Sequence, residues 1–365
     1  MNTLTRIWLR RYRANRTFRP PAAKVARRSR AARSLTVGFV TLVVLQLGLG
    51  VAAEQSLRFR DPVYGDREAL LRKAEAARPG GPRVVMIGTS RTAFAFHATR
   101  VEDQLQGEFP NAVAFNLGIP ASGPISHLIY LRRLLERGHR PDLLLVEVLP
   151  PMLADLPDGP LEARFLTADK LRRREVEAVA GYVPNGDDLR SRWRSTVLVP
   201  WSALRFQIVS RMSPSALPWH LRFDWGRNVD PRGWGTPEAE CVTPEQYRKS
   251  FASASAEYRD ILATFNPGGG AVRALADIVT LCRERSIPLR LVLMPETEDF
   301  RALYPPAARE KLAAVLRDAD AGCIDAREWV PTNGFTDGHH LLRGGAATFS
   351  DRLTREVIAP GLRAK

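Results

Sequence analysis

Short hydrophobic runs alternate with amphipathic segments along most of this chain. The segments between the runs place apolar side chains three and four positions apart, which is the spacing of one helix face. Strands are predicted at 83–88, 112–118, 142–149 (stopped by Pro150 and Pro151), 288–296 and 322–326, and helices at 97–108, 124–138, 271–286, 307–319 and 345–358. Short apolar strands that alternate with helices are typical of βαβ units. We therefore predict an α/β fold with three layers, in which helices cover both faces of a parallel sheet.

The alternation breaks between residues 152 and 266, which show no clean period and are rich in Arg, Trp and Pro. We interpret this region as a large insertion, helical in part near residues 202–212. Five of the seven tryptophans lie between Trp193 and Trp234. We expect them to form the core of the insertion. A lid or sugar-stacking surface over a site, or a face at the bilayer interface, is the alternative.

The longest apolar run covers residues 35–53, with Gln46 as its single strongly polar side chain. A helix of this length spans about 28 Å, close to the hydrocarbon thickness of a bilayer. The preceding residues 1–34 contain eleven Lys and Arg and no acid. The positive-inside rule therefore predicts a single-pass anchor with a cytoplasmic tail at 1–34, a juxtamembrane segment at 54–82 and an extracytoplasmic domain, periplasmic or at the cell surface. A signal peptide cleaved after residues 51–53 is the alternative.

Charge and cysteine content indicate which partners and cofactors are not expected. The net charge is +15, but without the first 34 residues 43 basic and 39 acidic residues leave a net of about +4. Nucleic-acid binding would need a basic face on the fold itself, so we expect no nucleic-acid partner. Three cysteines without metal-like spacing, Cys241, Cys282 and Cys323, predict no required disulfide. We likewise expect no metal and no organic cofactor.

The candidate chemistry lies where predicted strands end. Ligands bind beyond the carboxyl ends of strands in an open parallel sheet. Ser90 follows the first predicted strand, and Asp337 and His340 stand three apart in a polar loop before the last helix. A serine hydroxyl needs a base to take its proton, and the base needs a partner to orient it. We predict these three residues to be nucleophile, base and orienting acid. Ser90 as a helix cap, Asp337 as a turn residue and His339 as the base are the alternatives.

These motifs resemble those of the SGNH (GDSL-like) hydrolase superfamily, and most closely its membrane-anchored members that act on acyl groups of cell-envelope or exported polysaccharide. The matching stretches are "GTSR" at 88–91, "NLGIPASG" at 116–123 and "DGHHL" at 337–341. The resemblance implies a flavodoxin-like sheet within a domain at 83–360. It also implies that Ser90, Asp337 and His340 are catalytic and that the backbone N–H of Gly118, or alternatively Gly123, binds the oxyanion.

One departure from that family affects the prediction of activity. The third motif of the family carries an oxyanion-binding Asn, and the corresponding stretch 143–153, "LLLVEVLPPML", has none. Asn116 and Arg91 are the nearest substitutes, and we expect Glu147 to pair with Arg91. The predicted function is an extracytoplasmic serine esterase or O-acyltransferase, with a glycan or acyl-ester substrate and an acyl-transfer partner in the membrane. The alternative is an inactive SGNH-like protein that binds glycan or scaffolds the envelope.

Overall fold

The computed structural model describes residues 22–218, 221–222, 228–237 and 239–364. The chain divides into two compact units, Met1–Val51 and Ala52–Lys365. A long helix, α1 (Ala22–Gln55), begins in the first unit. Its 27-residue stretch Ser29–Gln55 contains an 18-residue window with a mean hydropathy of 2.1, and it is long and apolar enough to cross a membrane. The stretch includes the predicted anchor, whereas the orientation of the two units across a membrane stays a prediction.

The second unit is built on a five-stranded, entirely parallel sheet. The strands are β1 (Arg83–Gly88), β2 (Val113–Gly118), β3 (Leu143–Glu147), β6 (Leu289–Leu293) and β7 (Cys323–Asp325), and a hairpin outside the sheet contains β4 (Asp155–Leu156) and β5 (Gly159–Pro160). The sheet order is β2-β1-β3-β6-β7. This is the flavodoxin-like order, in which the chain reverses direction between β1 and β3. The predicted α/β class and parallel sheet are confirmed.

Helices cover both faces of the sheet. The described α-helices after α1 are α2 (Leu57–Arg60), α3 (Pro62–Ala77), α4 (Ser90–Ala95), α5 (Ala98–Leu105), α6 (Pro124–Glu136), α7 (Arg173–Ala180), α8 (Gly186–Leu198), α9 (Pro200–Met212), α10 (Pro244–Ala263), α11 (Gly269–Glu284), α12 (Glu298–Arg301), α13 (Pro306–Ala319), α14 (Arg343–Leu353) and α15 (Ala359–Arg363). Alternate β1 residues face opposite sides, because side chains alternate along a strand. Val85 packs with α3, α6, α11 and α13, whereas Met86 packs with α5 and α14. The layers are therefore those predicted.

The insertion is helical in large part, as predicted, and contains α7 to α10. Of its tryptophans in the described residues, Trp234 is buried, stacks on His97 at 3.8 Å and donates its Nε1 proton to the Phe94 carbonyl at 2.8 Å. Trp193 packs against the main core and donates to the Leu171 carbonyl. Both serve packing. Trp219 and Trp225 lie outside the described residues.

One boundary agrees with the sequence prediction and another differs from it. The third strand ends at Glu147, before Pro150 and Pro151, as predicted, and a 3-10 helix (Pro150–Leu153) follows, because proline has no N–H for the sheet ladder. The segment predicted to be juxtamembrane packs into the second unit through the buried side chains of Tyr64 and Leu71 on α3. The folded unit therefore begins before the first strand.

Candidate active site

Ser90 lies where β1 passes into α4, at the carboxyl edge of the sheet beside the β1–β3 reversal point. Thr89 is the N-cap of α4, and its hydroxyl accepts the Arg91 N–H at 3.1 Å. Ser90 is therefore the first residue of a helix, where the backbone N–H has no partner within the helix. Among the described residues, the structure gives the Ser90 N–H no hydrogen-bond acceptor. Its hydroxyl and its N–H are both available for chemistry.

A continuous hydrogen-bond chain joins the three residues that the sequence nominated. Ser90 Oγ lies 2.8 Å from His340 Nε2, and His340 Nδ1 lies 2.8 Å from Asp337 Oδ2. With the Nδ1 proton donated to Asp337, the Nε2 lone pair accepts the Ser90 proton. These residues are 250 positions apart, so only the sheet brings them together. This arrangement is that of a nucleophile, its base and an orienting carboxylate.

The Asp337 loop is held so that its carboxylate stays ionised. Asp337 Oδ1 accepts the backbone N–H groups of His339 at 3.2 Å and His340 at 2.8 Å. Burial alone would raise the pKa of Asp337, but the hydrogen bond and charge of His340 hold it well below its usual range. Gly338 between them has φ +95°, and its carbonyl accepts the Thr297 N–H at 2.9 Å. The loop thus fixes both the charge and the orientation of the acid.

Glu147 holds the turn that carries Ser90. Its buried carboxylate accepts the Thr89 N–H at 2.7 Å, the Thr89 hydroxyl at 2.9 Å, the Thr92 hydroxyl at 2.6 Å and the Thr92 N–H at 3.3 Å. The turn approaches Glu147 so closely that a Cβ at Gly88 would lie 2.4 Å from the carboxylate. Arg91 Nε comes only to 3.9 Å, outside hydrogen-bond distance. The expected Glu147–Arg91 pair is therefore present as an ion pair without a hydrogen bond, and the main role of Glu147 is to hold the turn.

Arg91 cannot serve as the oxyanion donor that the sequence suggested. Its side chain is 1% exposed, and it donates to Glu296 Oε1 at 3.1 Å and to the carbonyls of Met294 and Pro295 at 2.9 and 3.0 Å. These acceptors follow β6, on the far side of β3 from β1. The guanidinium is committed to joining α4 to the end of β6. Its role in the fold is structural.

The expected oxyanion donors near the end of β2 need correction as well. The Gly118 N–H donates to Asn116 Oδ1 at 2.8 Å, and the Gly123 N–H donates to Glu162 Oε1 at 2.8 Å. Asn116 Nδ2 donates to the carbonyls of Thr92 and Phe96, both at 2.8 Å. All three donors already have acceptors within the protein, so none of them is free to bind an oxyanion. Gly118 is required for another reason, since a Cβ there would lie 2.3 Å from the backbone nitrogen at position 93.

Sequence reasoning missed Ala121. It lies in the same cleft lining as Ser90 and adopts φ +59°, a left-handed conformation that is uncommon for a residue with a Cβ. No described group accepts its N–H. The neighbouring Ser122 hydroxyl lies 2.6 Å from the carbonyl oxygen of Ile119 in this turn and 3.0 Å from that of Gly88 at the end of β1. It therefore ties the turn to β1. The sequence signal was the Pro-Ala-Ser turn after β2, but nothing in it distinguishes one backbone N–H from another.

His339, the alternative base, lines the same cleft but packs among aromatic rings, and the hydrogen bond with Ser90 Oγ is made by His340 instead. It is 4% exposed, and its ring lies 4.8 Å from the Phe300 ring and 5.6 Å from the Tyr258 ring. Burial lowers its pKa well below the ordinary value. Among described residues, Asp337, His339 and His340 offer ligand atoms within 4.8 Å of one another, so a metal ion could bind here. Such an ion would compete with the Asp337–His340 hydrogen bond.

Ser90 and His340 open onto a cleft of about 450 Å³. The cleft is lined by Thr89, Ser90, Ala121, Leu149, Met152, Phe165, Ser250, Ser253, Ala254, Glu257, Tyr258, Asp337, His339 and His340. A larger groove of about 790 Å³ is lined by Arg301, Arg327 and Trp329 among others, and it contains no serine, cysteine or histidine. The nucleophile therefore identifies the smaller cleft as the candidate active site.

Comparisons with known proteins give structural likenesses only. No protein-family model and no curated protein matches the chain. A G-D-S-L family lipolytic protein of Desulfitobacterium hafniense is similar with 9% identity and a TM-score of 0.33, covering 75% of this chain and 98% of that one. The native aryl esterase of M. smegmatis is similar with 12% identity and a TM-score of 0.32, covering 76% and 99%. These TM-scores are too low to support a functional assignment, so the interpretation rests on the geometry of the cleft.

Proposed function

We propose that this protein is a serine hydrolase or O-acyltransferase of SGNH type that cleaves esters through an acyl-serine intermediate at Ser90. The hydrogen-bond chain from Asp337 through His340 to Ser90 carries this proposal. A turn residue or helix cap would need no base on its hydroxyl, and a structural histidine would need no carboxylate on its far nitrogen. All three occur at the sheet edge where α/β proteins bind their ligands.

The first half of the reaction forms the acyl-enzyme. Ser90 Oγ attacks the ester carbonyl carbon while His340 Nε2 removes the hydroxyl proton, and Asp337 stabilises the imidazolium that results. The tetrahedral intermediate collapses when His340 returns this proton to the ester oxygen. The alcohol leaves, and the acyl group stays on Ser90. Water or a second alcohol, deprotonated by His340, then attacks the acyl-serine and releases the acid or a new ester.

The backbone N–H groups of Ser90 and Ala121 are the donors that we assign to the oxyanion. Each belongs to the lining of the cleft, and neither has another acceptor among the described residues. The third donor, an Asn side chain in the family that the sequence resembles, has no counterpart, because Leu149 and Met152 line the cleft after β3. One missing donor costs about 10²–10³ in rate. We expect slow turnover.

The location and the class of substrate extend the proposal. The basic N-terminal tail and the single apolar helix support an extracytoplasmic active site tethered to the membrane. In that position an ester of a cell-envelope or exported glycan would be the substrate. An acyl-transfer partner in the membrane would supply the acyl group if the reaction is a transfer rather than a hydrolysis. The absence of the third oxyanion donor supports the second candidate, an inactive glycan-binding or scaffold protein.

Active-site labelling separates these candidates. The full-length protein in detergent is treated with a fluorophosphonate probe, beside Ser90→Ala, His340→Ala and, as a control on an exposed face of α8, Ser191→Ala. We expect an adduct on Ser90 that is lost in the first two variants and kept in the third. Ser122, buried beside His127 without a carboxylate, should carry none. An unlabelled, folded wild type would contradict the enzyme and favour the binding protein.

A further inference from the structure

One face of α10 forms a polar wall of the cleft. Ser250, Ser253, Ala254, Glu257 and Tyr258 line it and recur at intervals of three and four residues, so they share one side of the helix. Ser253 and Glu257 are exposed to the cleft. The wall thus presents hydroxyl groups and a carboxylate. It belongs to the insertion and not to the α/β core.

The other wall is apolar. Ala121, Leu149, Met152 and Phe165 line it. Leu149 and Met152 pack with Leu161 into a small hydrophobic cluster, and both are buried. Phe165 is 39% exposed. The cleft therefore has two chemically different sides, with Ser90 and His340 between them.

The position of α10 decides which part of an ester each wall meets. The helix packs against the loop that carries the base: the Phe251 ring lies 2.8 Å from where a Cβ on Gly338 would be, and the Tyr258 ring lies 5.6 Å from the His339 ring. His340 must deliver its proton to the departing alcohol oxygen. The alcohol therefore leaves on the side of α10, whereas Ala121 and the oxyanion lie on the apolar side.

We propose that the exposed face of α10 is the alcohol subsite and that it selects a polyhydroxylated alcohol, with Glu257 and Ser253 as specificity-determining residues. This inference rests on the proposed function and deepens it. The Glu257 carboxylate accepts hydrogen bonds from sugar hydroxyls, and the Ser253 hydroxyl donates one. An apolar alcohol would strip water from both groups without replacing its hydrogen bonds, which is unfavourable. The acyl group lies along Leu149 and Met152.

Two acetate esters with different alcohols test this assignment. The full-length protein in detergent is assayed with a mono-O-acetylated methyl glucoside and with p-nitrophenyl acetate, which share the acyl group. Glu257→Gln should lower kcat/KM for the sugar ester about 10-fold and Ser253→Ala about threefold, the loss of one charged and one neutral hydrogen bond. Neither variant should hydrolyse p-nitrophenyl acetate more slowly than wild type, because the nitrophenyl group makes no such bonds and is relieved of part of the desolvation cost. Glu245→Gln, the same change in the first turn of α10, is the control.

The possible results separate failure of this inference from failure of the proposed function. Equal losses on both esters in Glu257→Gln would make Glu257 a positioning or structural residue and overturn the assignment. Turnover of p-nitrophenyl acetate without turnover of the sugar ester would overturn it as well. An absence of turnover of either ester, together with an unlabelled Ser90, would instead refute the proposed function. A rise in KM for the sugar ester with little change in kcat supports the inference.

Discussion

Replacing Glu147 by Gln tests whether this carboxylate positions the nucleophile. The substitution keeps the shape of the side chain but removes its negative charge, which four hydrogen bonds and the nearby Arg91 now stabilise. Hydrogen bonds to a charged group contribute about 1.5–3 kcal/mol each, and a buried pair that loses one partner costs up to about 5 kcal/mol. The amide can still accept most of the bonds, and Arg91 keeps Glu296. We therefore expect a loss of about 2–3 kcal/mol in unfolding free energy.

The same substitution should also slow catalysis, because Glu147 holds the turn that carries Ser90. Thr89 and Thr92, which Glu147 holds, lie on either side of Ser90 in sequence. A displacement of the reacting hydroxyl by about 1 Å costs about 10²-fold in rate. We expect the second-order rate of fluorophosphonate labelling at Ser90 to fall about 10- to 100-fold in Glu147→Gln, measured well below the melting temperature of the variant.

Glu102→Gln is the matched control. Glu102 is also buried, accepts the Ala114 N–H at 3.1 Å and pairs with Arg78 at 2.8 Å, but it lies on α5 and does not contact the Ser90 turn. It should be destabilised to a similar extent and labelled at the wild-type rate. A wild-type labelling rate in Glu147→Gln would refute the positioning role. Equally slow labelling in Glu102→Gln would show that general destabilisation, and not the clamp, slows the reaction.

Two further predictions concern the acid of the triad and a buried histidine. Asp337→Asn should lower kcat about 10³- to 10⁴-fold, since the amide favours the wrong tautomer of His340, and a small rate loss measured below the melting temperature of the variant would argue against its role. Burial alone would lower the pKa of His139, but hydrogen bonds with Glu68 and Glu75 raise it to about 9. Protonated His139 therefore stabilises the folded state fully below about pH 6.5, and this stabilisation is lost as pH rises toward 9. Thermal unfolding of His139→Gln should therefore show a large deficit at pH 6 that narrows by pH 9.5, and a constant deficit would contradict this.

The amino-acid sequence alone determined the architecture and the three residues of the hydrogen-bond chain. The strands of a parallel sheet are buried on both faces and are therefore nearly continuous apolar runs. For this reason the number of strands and the α/β fold class could be predicted from the sequence. Ser90 could be nominated because it follows such a run, and Asp337 and His340 because their spacing suits a carboxylate that reaches the far nitrogen of a histidine. These signals are local, and a single sequence contains them in full.

Tertiary structure alone decided which groups are free to act. Every residue except proline carries a backbone N–H, so the sequence could not show that Gly118 gives its proton to Asn116 while Ala121 has no described acceptor. Glu147 and Arg91 form the expected ion pair, but at 3.9 Å they share no hydrogen bond. Their hydrogen-bond partners are set by which strands are neighbours and where each strand ends.

The same reason applies to the polar wall of the cleft. The face of α10 that carries Ser253 and Glu257 lies in a region without a readable period, more than 150 residues after Ser90 in the chain. Only the packing of α10 against the histidine loop places this face beside the nucleophile. Contacts between distant segments depend on the sum of many packing energies and not on any local pattern. For this reason the sequence predicted the reaction chemistry, whereas only the folded chain indicates which alcohol the cleft can bind.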